Sequence, residues 1–299
     1  DSAVNINAVE QFLGDHDLHD APEPPSVRHL AEIAVAGSGP AGLSCAWVLA
    51  RAGYPVTVFE ALPEPGGMLR WGIPAYRLPS AVVEAQVNKL KALGVRFMCN
   101  VRIGEGGDIS LEELKRRGFR AVCLAPGANL GRRADVPGED LRGVFHGIEF
   151  LRAARADRRD AVSSLPDFPR GGAVVVIGGG DVAMDAALSA RRMGAARVEL
   201  FCLEDENSMP AFPHNIADAR AEGVLIHAGW GVREVEGKDG RVRGLVLRRC
   251  LSVWDDAHAF RPVFDDNETR EVGADAVVFA IGQASDLSLF PNLEKASAT

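Results

Sequence analysis

Apolar positions along the chain change their spacing several times, and each change marks an element. Val4, Ile6, Val9, Phe12 and Leu13 recur at helical spacing and define one face of an amphipathic helix within residues 1–20. Three prolines between Ala21 and Ser26 read as a linker. A strand over 32–36, a helix over about 40–52 and a strand over 55–60 then form one βαβ unit. Residues 61–80 are irregular and rich in Gly and Pro. A helix over about 80–93, a strand over 95–100, a helix near 111–117 and a strand over 121–125 follow. Residues 143–156 read as helical and 163–172 as a second linker.

The pattern then restarts. A strand over 173–177, a helix over 182–193 and a strand over 197–203 make a second βαβ unit, and further strands fall at 224–228, 232–235, 243–249 and 276–281. Residues 241–265 alternate apolar and polar side chains behind turn residues at 238–240, which predicts an antiparallel excursion. A coarse repeat of about 140 residues predicts two related α/β domains, not one large sheet. The expected divisions are an N-terminal helix and linker over 1–30, a first dinucleotide domain over 31–142 and a second over 143–282. A return segment to the first domain then occupies 283–299.

Composition narrows the function. A net charge of -8 over 299 residues argues against nucleic acid, whose phosphates require basic surfaces, and gives no attraction to anionic lipid. No apolar stretch has the length of a membrane span, and no charged-then-apolar leader opens the chain. Cys45, Cys99, Cys123, Cys202 and Cys250 are widely spaced and sit mostly in apolar runs. They read as buried thiols in a reducing compartment, so a cytoplasmic protein is expected.

Two glycine fingerprints carry the chemistry. Gly37-Ser-Gly39-Pro40-Ala41-Gly42 follows an apolar strand and opens a helix. Gly37 permits the tight turn, Gly39 lets a pyrophosphate approach the backbone, and Gly42 lets helix and strand pack closely. The helix N-terminus offers free N–H groups to the phosphates. Glu60 ends the next strand, where a carboxylate accepts ribose hydroxyls. Gly178-Gly-Gly180-Asp181-Val182-Ala183 repeats the arrangement, with Ala in the third position and Glu204 at the acidic one. Asp181 is odd in a phosphate turn. Its carboxylate either caps the helix or turns aside to bond a ribose or nicotinamide group. Two dinucleotide folds in one chain imply two dinucleotides, and nicotinamide and flavin are the pair between which hydride passes directly.

With these motifs the chain resembles the flavoprotein module of the glutamate synthase small subunit. That module also occurs in dihydropyrimidine dehydrogenase and in flavin subunits of several iron–sulfur electron-transfer complexes. The resemblance rests on Gly37–Leu43 with Glu60, the run Gly66–Pro79, Val175–Ala187, Met209–Ala211 and Val277–Gln283, and spans Asn5 to about Phe290. It implies the fold of the flavoprotein disulfide reductases, with one Rossmann-like domain for FAD and one for NAD(P)H. By resemblance the first fingerprint binds FAD, Gly66, Gly67 and Leu69 lie along the flavin, and Arg77 reaches the cofactor. Val101 would touch adenine, Ala125 and Gly127 would form a backbone edge near FAD, and Gly282 would lie near the domain junction beside NAD(P)H.

Three departures from the family refine this. Met68 and Leu69 stand where disulfide reductases often carry a redox cysteine pair, so electrons are not expected to leave through a protein disulfide. Leu203-Glu204-Asp205-Glu206 replaces the paired arginines that hold the 2′-phosphate of NADPH, so NADH is expected over NADPH. None of the five cysteines has iron–sulfur spacing, and the chain ends before the family's Gly-Asp motif, so it reads as truncated at the C-terminus. Reduced flavin would hand electrons to an iron–sulfur segment or subunit elsewhere. The competing reading is an FAD-binding relay or structural subunit that does not react with NAD(P)H. No side chain is expected to act catalytically and none to bind metal; His16 and His19 read as polar surface, and His214 as a loop residue. Arg191 and Arg192 read as solvated or paired charges, and Trp71 either covers the flavin or packs.

Overall fold

The computed structural model describes residues 4–18, 20–155 and 165–291. His19, the last residue of the expected 143–156 helix, residues 163–164 of the second linker and residues 292–299 of the return segment lie outside the described residues. The chain forms two compact units, residues 1–128 with 285–299, and residues 129–284.

The first unit runs α1 (Ile6–His16), β1 (Ile33–Ala36), α2 (Pro40–Arg51), β2 (Val56–Glu60), α3 (Met68–Trp71), α4 (Ser80–Ala92), β3 (Arg96–Cys99), α5 (Leu111–Arg116) and β4 (Ala121–Leu124). Its strands form one parallel sheet in the order β3-β2-β1-β4. β1 and β2 are buried throughout, as strands covered on both faces must be. Ala34, Ala36 and Phe59 pack on one face with Leu114 of α5, and Val35, Val56 and Val58 on the other with Ala46 of α2. The N-terminal helix forms as its periodicity predicts, capped by Asn5, whose Oδ1 accepts from Ala8 N at 3.1 Å. Its apolar stripe nevertheless stays exposed among the described residues, with Phe12 69% accessible.

Cys45 on α2 and Cys123 on β4 pack into the same cluster. Burial first, and then the hydrogen bond with Cys123, push the Cys45 thiol up to about 11. At pH 8 roughly one Cys45 in a thousand is therefore thiolate, the reactive form. Alkylation of Cys45 at pH 8 should run about a hundredfold slower than that of an exposed cysteine. Mass-spectrometric time courses that show equal rates would contradict this burial.

The second unit runs β5 (Leu130–Gly131), β6 (Val144–His146), α6 (Gly147–Ala154), β7 (Ala173–Ile177), α7 (Asp181–Arg192), β8 (Arg197–Cys202), α8 (Pro213–Ala221), β9 (Leu225–Ala228), β10 (Trp230–Lys238), β11 (Arg241–Trp254), β12 (Phe260–Gly273), β13 (Ala276–Phe279) and β14 (Gln283–Ala284). Five strands form a sheet in the order β6-β13-β7-β8-β9, each neighbouring pair parallel. The order reverses between β7 and β13, which places the ligand crevice of such a sheet at their carboxyl ends. β10, β11 and β12 form a separate antiparallel sheet, and β5 pairs with β14.

Two expectations need correction. The segment expected to be helical from 143 begins as strand β6, because Val144 and Phe145 pair with Val277 and Val278 of β13. The antiparallel excursion extends to Gly273, since Asp266–Gly273 joins the ladder through pairs such as Arg248 with Thr269 and Leu245 with Val272. Arg270 of β12 also approaches Glu199 of β8, a buried carboxylate held at 2.8 Å by His227 Nε2 and at 3.0 Å by Arg197 Nη1. That cluster pins the antiparallel sheet to the parallel one. Among the described residues no helix is long and apolar enough to cross a membrane.

Candidate functional site

The first glycine turn connects β1 to α2. Gly37 has φ +106°, and a Cβ there would lie 2.1 Å from the Ala125 carbonyl oxygen. Gly42 faces the turn from inside α2, and its Cβ would stand 1.9 Å from the Gly37 carbonyl oxygen. Gly39 differs from both: a Cβ there would meet no atom within 4 Å. The side of the turn that a pyrophosphate must approach is thus open, while the sides that face the chain are closed. Gly39 is the N-cap of α2 and Pro40 its first residue, so the next N–H groups of that turn point at the opening.

Ser38 is the residue that sequence reasoning missed. It is fully buried. Its N–H donates to Glu60 Oε2 at 3.0 Å, its hydroxyl donates to the same oxygen, and its Oγ accepts from Gly66 N at 3.0 Å. Leu62 N donates to Glu60 Oε1 at 2.8 Å. A carboxylate offers about four acceptor positions, so about one remains for a ribose hydroxyl. Glu60 is therefore first a brace for the turn.

The other predicted residues of this unit gather around that brace in part. Gly67, at φ +50°, lies against Gly39, and its Cβ would stand 2.5 Å from the Gly39 Cα. Val101 N donates to Glu60 O, and Ala125 N to Ala36 O. Gly127, at φ +73°, follows on the same segment as Ala125. Leu69 lies on α3, and the Arg77 guanidinium lies over Tyr76, 5.6 Å from the ring centre. Trp71 packs: it is 4% accessible, and its Nε1 donates to Glu64 O at 2.9 Å.

The second turn repeats the first with different side chains. Gly178, at φ +140°, would place a Cβ 2.3 Å from the Ala280 carbonyl oxygen, and Gly180 again opens on free space. The third position accepts Ala183, which is fully buried and whose Cβ would lie 3.4 Å from a Cβ placed on Gly178. Gly179 stands where Ser38 stands in the first turn, and with no side chain there the acid itself comes up. Glu204 Oε2 lies 2.7 Å from where a Gly179 Cβ would be. Among the described residues no donor reaches the Glu204 carboxylate, which leaves it available to a ribose diol.

The oddity of Asp181 resolves on geometry. Its Oδ1 accepts from Phe212 N at 3.0 Å and from Asn215 Nδ2 at 2.7 Å, so the carboxylate turns away from the turn and ties α7 to the start of α8. It does not cap its own helix. Val182 follows it at the start of α7 and packs near Gly147. Ala211 N donates to Gly179 O at 3.0 Å, which seats the Met209–Ala211 motif on the turn. Gly282, at φ +113°, accepts from Arg132 N at 3.0 Å, two residues beyond the Ala280 that closes on Gly178.

The acidic run after β8 divides its work. Glu204 faces the turn. Asp205 accepts from Asn207 N and Ser208 Oγ, both at 2.8 Å, and these bonds, Ser208 first, hold its carboxyl below the usual range. Glu206 pairs with Arg220 of α8. A guanidinium from α8 thus reaches this loop. Arg191 donates to backbone carbonyls of Ala195, Ala196 and Glu222, and Arg192 pairs with Glu222, so both are structural. His214 is exposed and stacks on Phe212. His16 stacks on Phe12, and no metal-binding group of side chains occurs among the described residues.

Residues 31–298 match the family described as pyridine nucleotide-disulphide oxidoreductase. The NADP(+)-dependent formate dehydrogenase subunit beta of Moorella thermoacetica is 40% identical over 269 residues, 89% of this chain and 37% of that one. The glutamate synthase (NADPH) small chain of Halomonas elongata is 36% identical, over 94% of this chain and 60% of that one. The NAD-dependent dihydropyrimidine dehydrogenase subunit PreT of Escherichia coli is 31% identical, over 98% of this chain and 64% of that one. The chain thus spans between 37% and 64% of these relatives' own lengths. Mycobacterium tuberculosis FprA in complex with NADPH shares the fold, with TM-score 0.70 over 85% of this chain and 71% of that one, at 22% identity.

Proposed function

The chain belongs to the pyridine nucleotide-disulphide oxidoreductase family, and on that premise we propose that it is a reductase module that takes electrons from NADH into FAD and passes them to an iron–sulfur partner. The turn of the first unit would hold FAD, and that of the second NADH. When bound, the two groups supply direct hydride transfer, which asks no acid or base of the protein. The chain's own residues bind and orient. Gly39 and Gly180 admit the two pyrophosphates, and the N-termini of α2 and α7 stabilise their charge. Glu60 offers its remaining acceptor position to one ribose, and Glu204 offers a whole carboxylate to the other.

The observation that carries the choice of NADH is the Glu204 carboxylate against Gly179. A 2′-phosphate at that ribose would meet it at close range, and like charges there cost affinity. The relatives' names do not decide the matter for this chain, since they include NADP(H)- and NAD-dependent proteins. An iron–sulfur acceptor is supported by the resemblance to electron-transfer subunits and by Met68 and Leu69, which stand where disulfide reductases often carry a redox cysteine pair.

Anaerobic titration of the purified protein at the flavin absorbance tests this reading. NADH should bleach the flavin at a concentration at least about tenfold below NADPH. A flavin that neither nucleotide bleaches would favour the relay reading. Equal or better bleaching by NADPH would overturn the choice of NADH, and a colourless protein would overturn FAD binding.

A further inference from the structure

We propose that the Glu206–Arg220 ion pair sets how strictly the second unit rejects a 2′-phosphate, with Glu206 holding Arg220 back as a latent phosphate ligand. The inference rests on the reading of Glu204 as the ribose acceptor. The loop that carries these acids is braced. Gly229 N donates to Glu204 O at 2.8 Å, and Asp205 spends its carboxylate on Asn207 and Ser208. The partner helix is braced too, because Asp181 fixes the first turn of α8 through Phe212 N and Asn215. Arg220 in the last turn of α8 therefore meets the loop at a defined place, two residues beyond the carboxylate that lies on the glycine turn.

Both partners of the pair are about half exposed or more, 47% for the Arg220 side chain and 66% for Glu206, so the pair stands at the surface of the loop that carries Glu204. Other cations nearby are engaged elsewhere. Arg192 is bound to Glu222, and the Arg249 guanidinium lies flat on Gly229, beside the Trp230 ring. As the chain stands, a 2′-phosphate would face Glu204 and Glu206 together, while the guanidinium that could bind it is neutralised. The strength of the pair is not the deciding quantity, since exposed pairs are weak. What decides is that a phosphate drawing Arg220 away leaves the Glu206 carboxylate beside it. Glu206→Gln removes that repulsion and frees a planar fork of N–H donors suited to phosphate.

Calorimetric titration of the whole protein with NAD+ and with NADP+ reads this without turnover. Glu206→Gln should lower the NADP+ dissociation constant relative to that of NAD+ by about tenfold. The double variant Glu206→Gln with Arg220→Ala should lose that gain. Binding of NAD+ by each variant reports that the unit is folded. A ratio that Glu206→Gln leaves within about twofold of the parent overturns the proposal. A gain that survives in the double variant also overturns it, because loss of a negative charge would then suffice without Arg220. A parent protein that already prefers NADP+ overturns the NADH reading beneath, whereas a preference for NAD+ that the variants leave unmoved overturns only the role of the pair.

Discussion

Replacing Gly42 by Ala should remove flavin from the purified protein. The added methyl group would lie 1.9 Å from the Gly37 carbonyl oxygen, and the obstacle is backbone, which cannot rotate aside as a side chain can. Either α2 moves away from β1 or the turn opens, and both changes displace the N–H groups that face the Gly39 opening. Overpacking in a well-filled region costs about 1–3 kcal/mol even where side chains can adjust. We therefore expect flavin content below about a tenth of the parent, read from the ratio of visible to ultraviolet absorbance, and a fall in the melting temperature. The counterpart in the second unit behaves differently, because Ala183 already fits there. Ala183→Gly should cost only about 2 kcal/mol, the usual penalty for Gly in a helix plus the lost burial of one methyl group, with little change in NAD+ affinity. Full flavin occupancy in Gly42→Ala would mean that the first turn is not built as described.

Glu60→Ala should be nearly as damaging, and chiefly through stability. The substitution strands three donors, Ser38 N, Ser38 Oγ and Leu62 N, of which the two on Ser38 are fully buried. Each buried donor left without a partner costs about 1–3 kcal/mol, so a loss of about 3 kcal/mol or more is expected in urea unfolding. Glu60→Gln keeps one carbonyl oxygen for Ser38 but turns an amide N–H toward Leu62 N or the reverse, and should fall between the parent and Glu60→Ala. A loss below about 1 kcal/mol in Glu60→Ala would show that the Glu60 carboxylate serves the ligand alone.

The turns and their order were legible in the sequence because their chemistry is local. A strand, a left-handed glycine, an open glycine and a helix N-terminus follow one another within six residues, and the structure keeps that order in both units. What was illegible depended on partners far along the chain. Asp181 could not be assigned from its neighbours because its donors lie 31 and 34 residues away. Ser38 passed as a spacer between two glycines, although a hydroxyl at that position, with an acid 22 residues on, is the signal that could have found it. The acidic run Glu204–Glu206 reads as one block of charge, yet Glu204 faces the glycine turn, Asp205 binds Asn207 and Ser208, and Glu206 pairs with Arg220. Asp266–Gly273 lies past the end of the alternating pattern at 265, and becomes strand because β11 offers it a ladder. β6 is three residues long, too short for any period to show.

The bonds from Glu60 through Ser38 to Gly66 join the phosphate turn to the start of the loop that precedes α3. All of them are made by the chain with itself. That part of the cradle is preorganised, so little conformational entropy should be lost there when a dinucleotide enters. Uptake should then approach lock-and-key behaviour, with the backbone around Ser38 and Gly66 shifting by less than about 1 Å. Amide hydrogen exchange at these positions should already be slow before any cofactor is added.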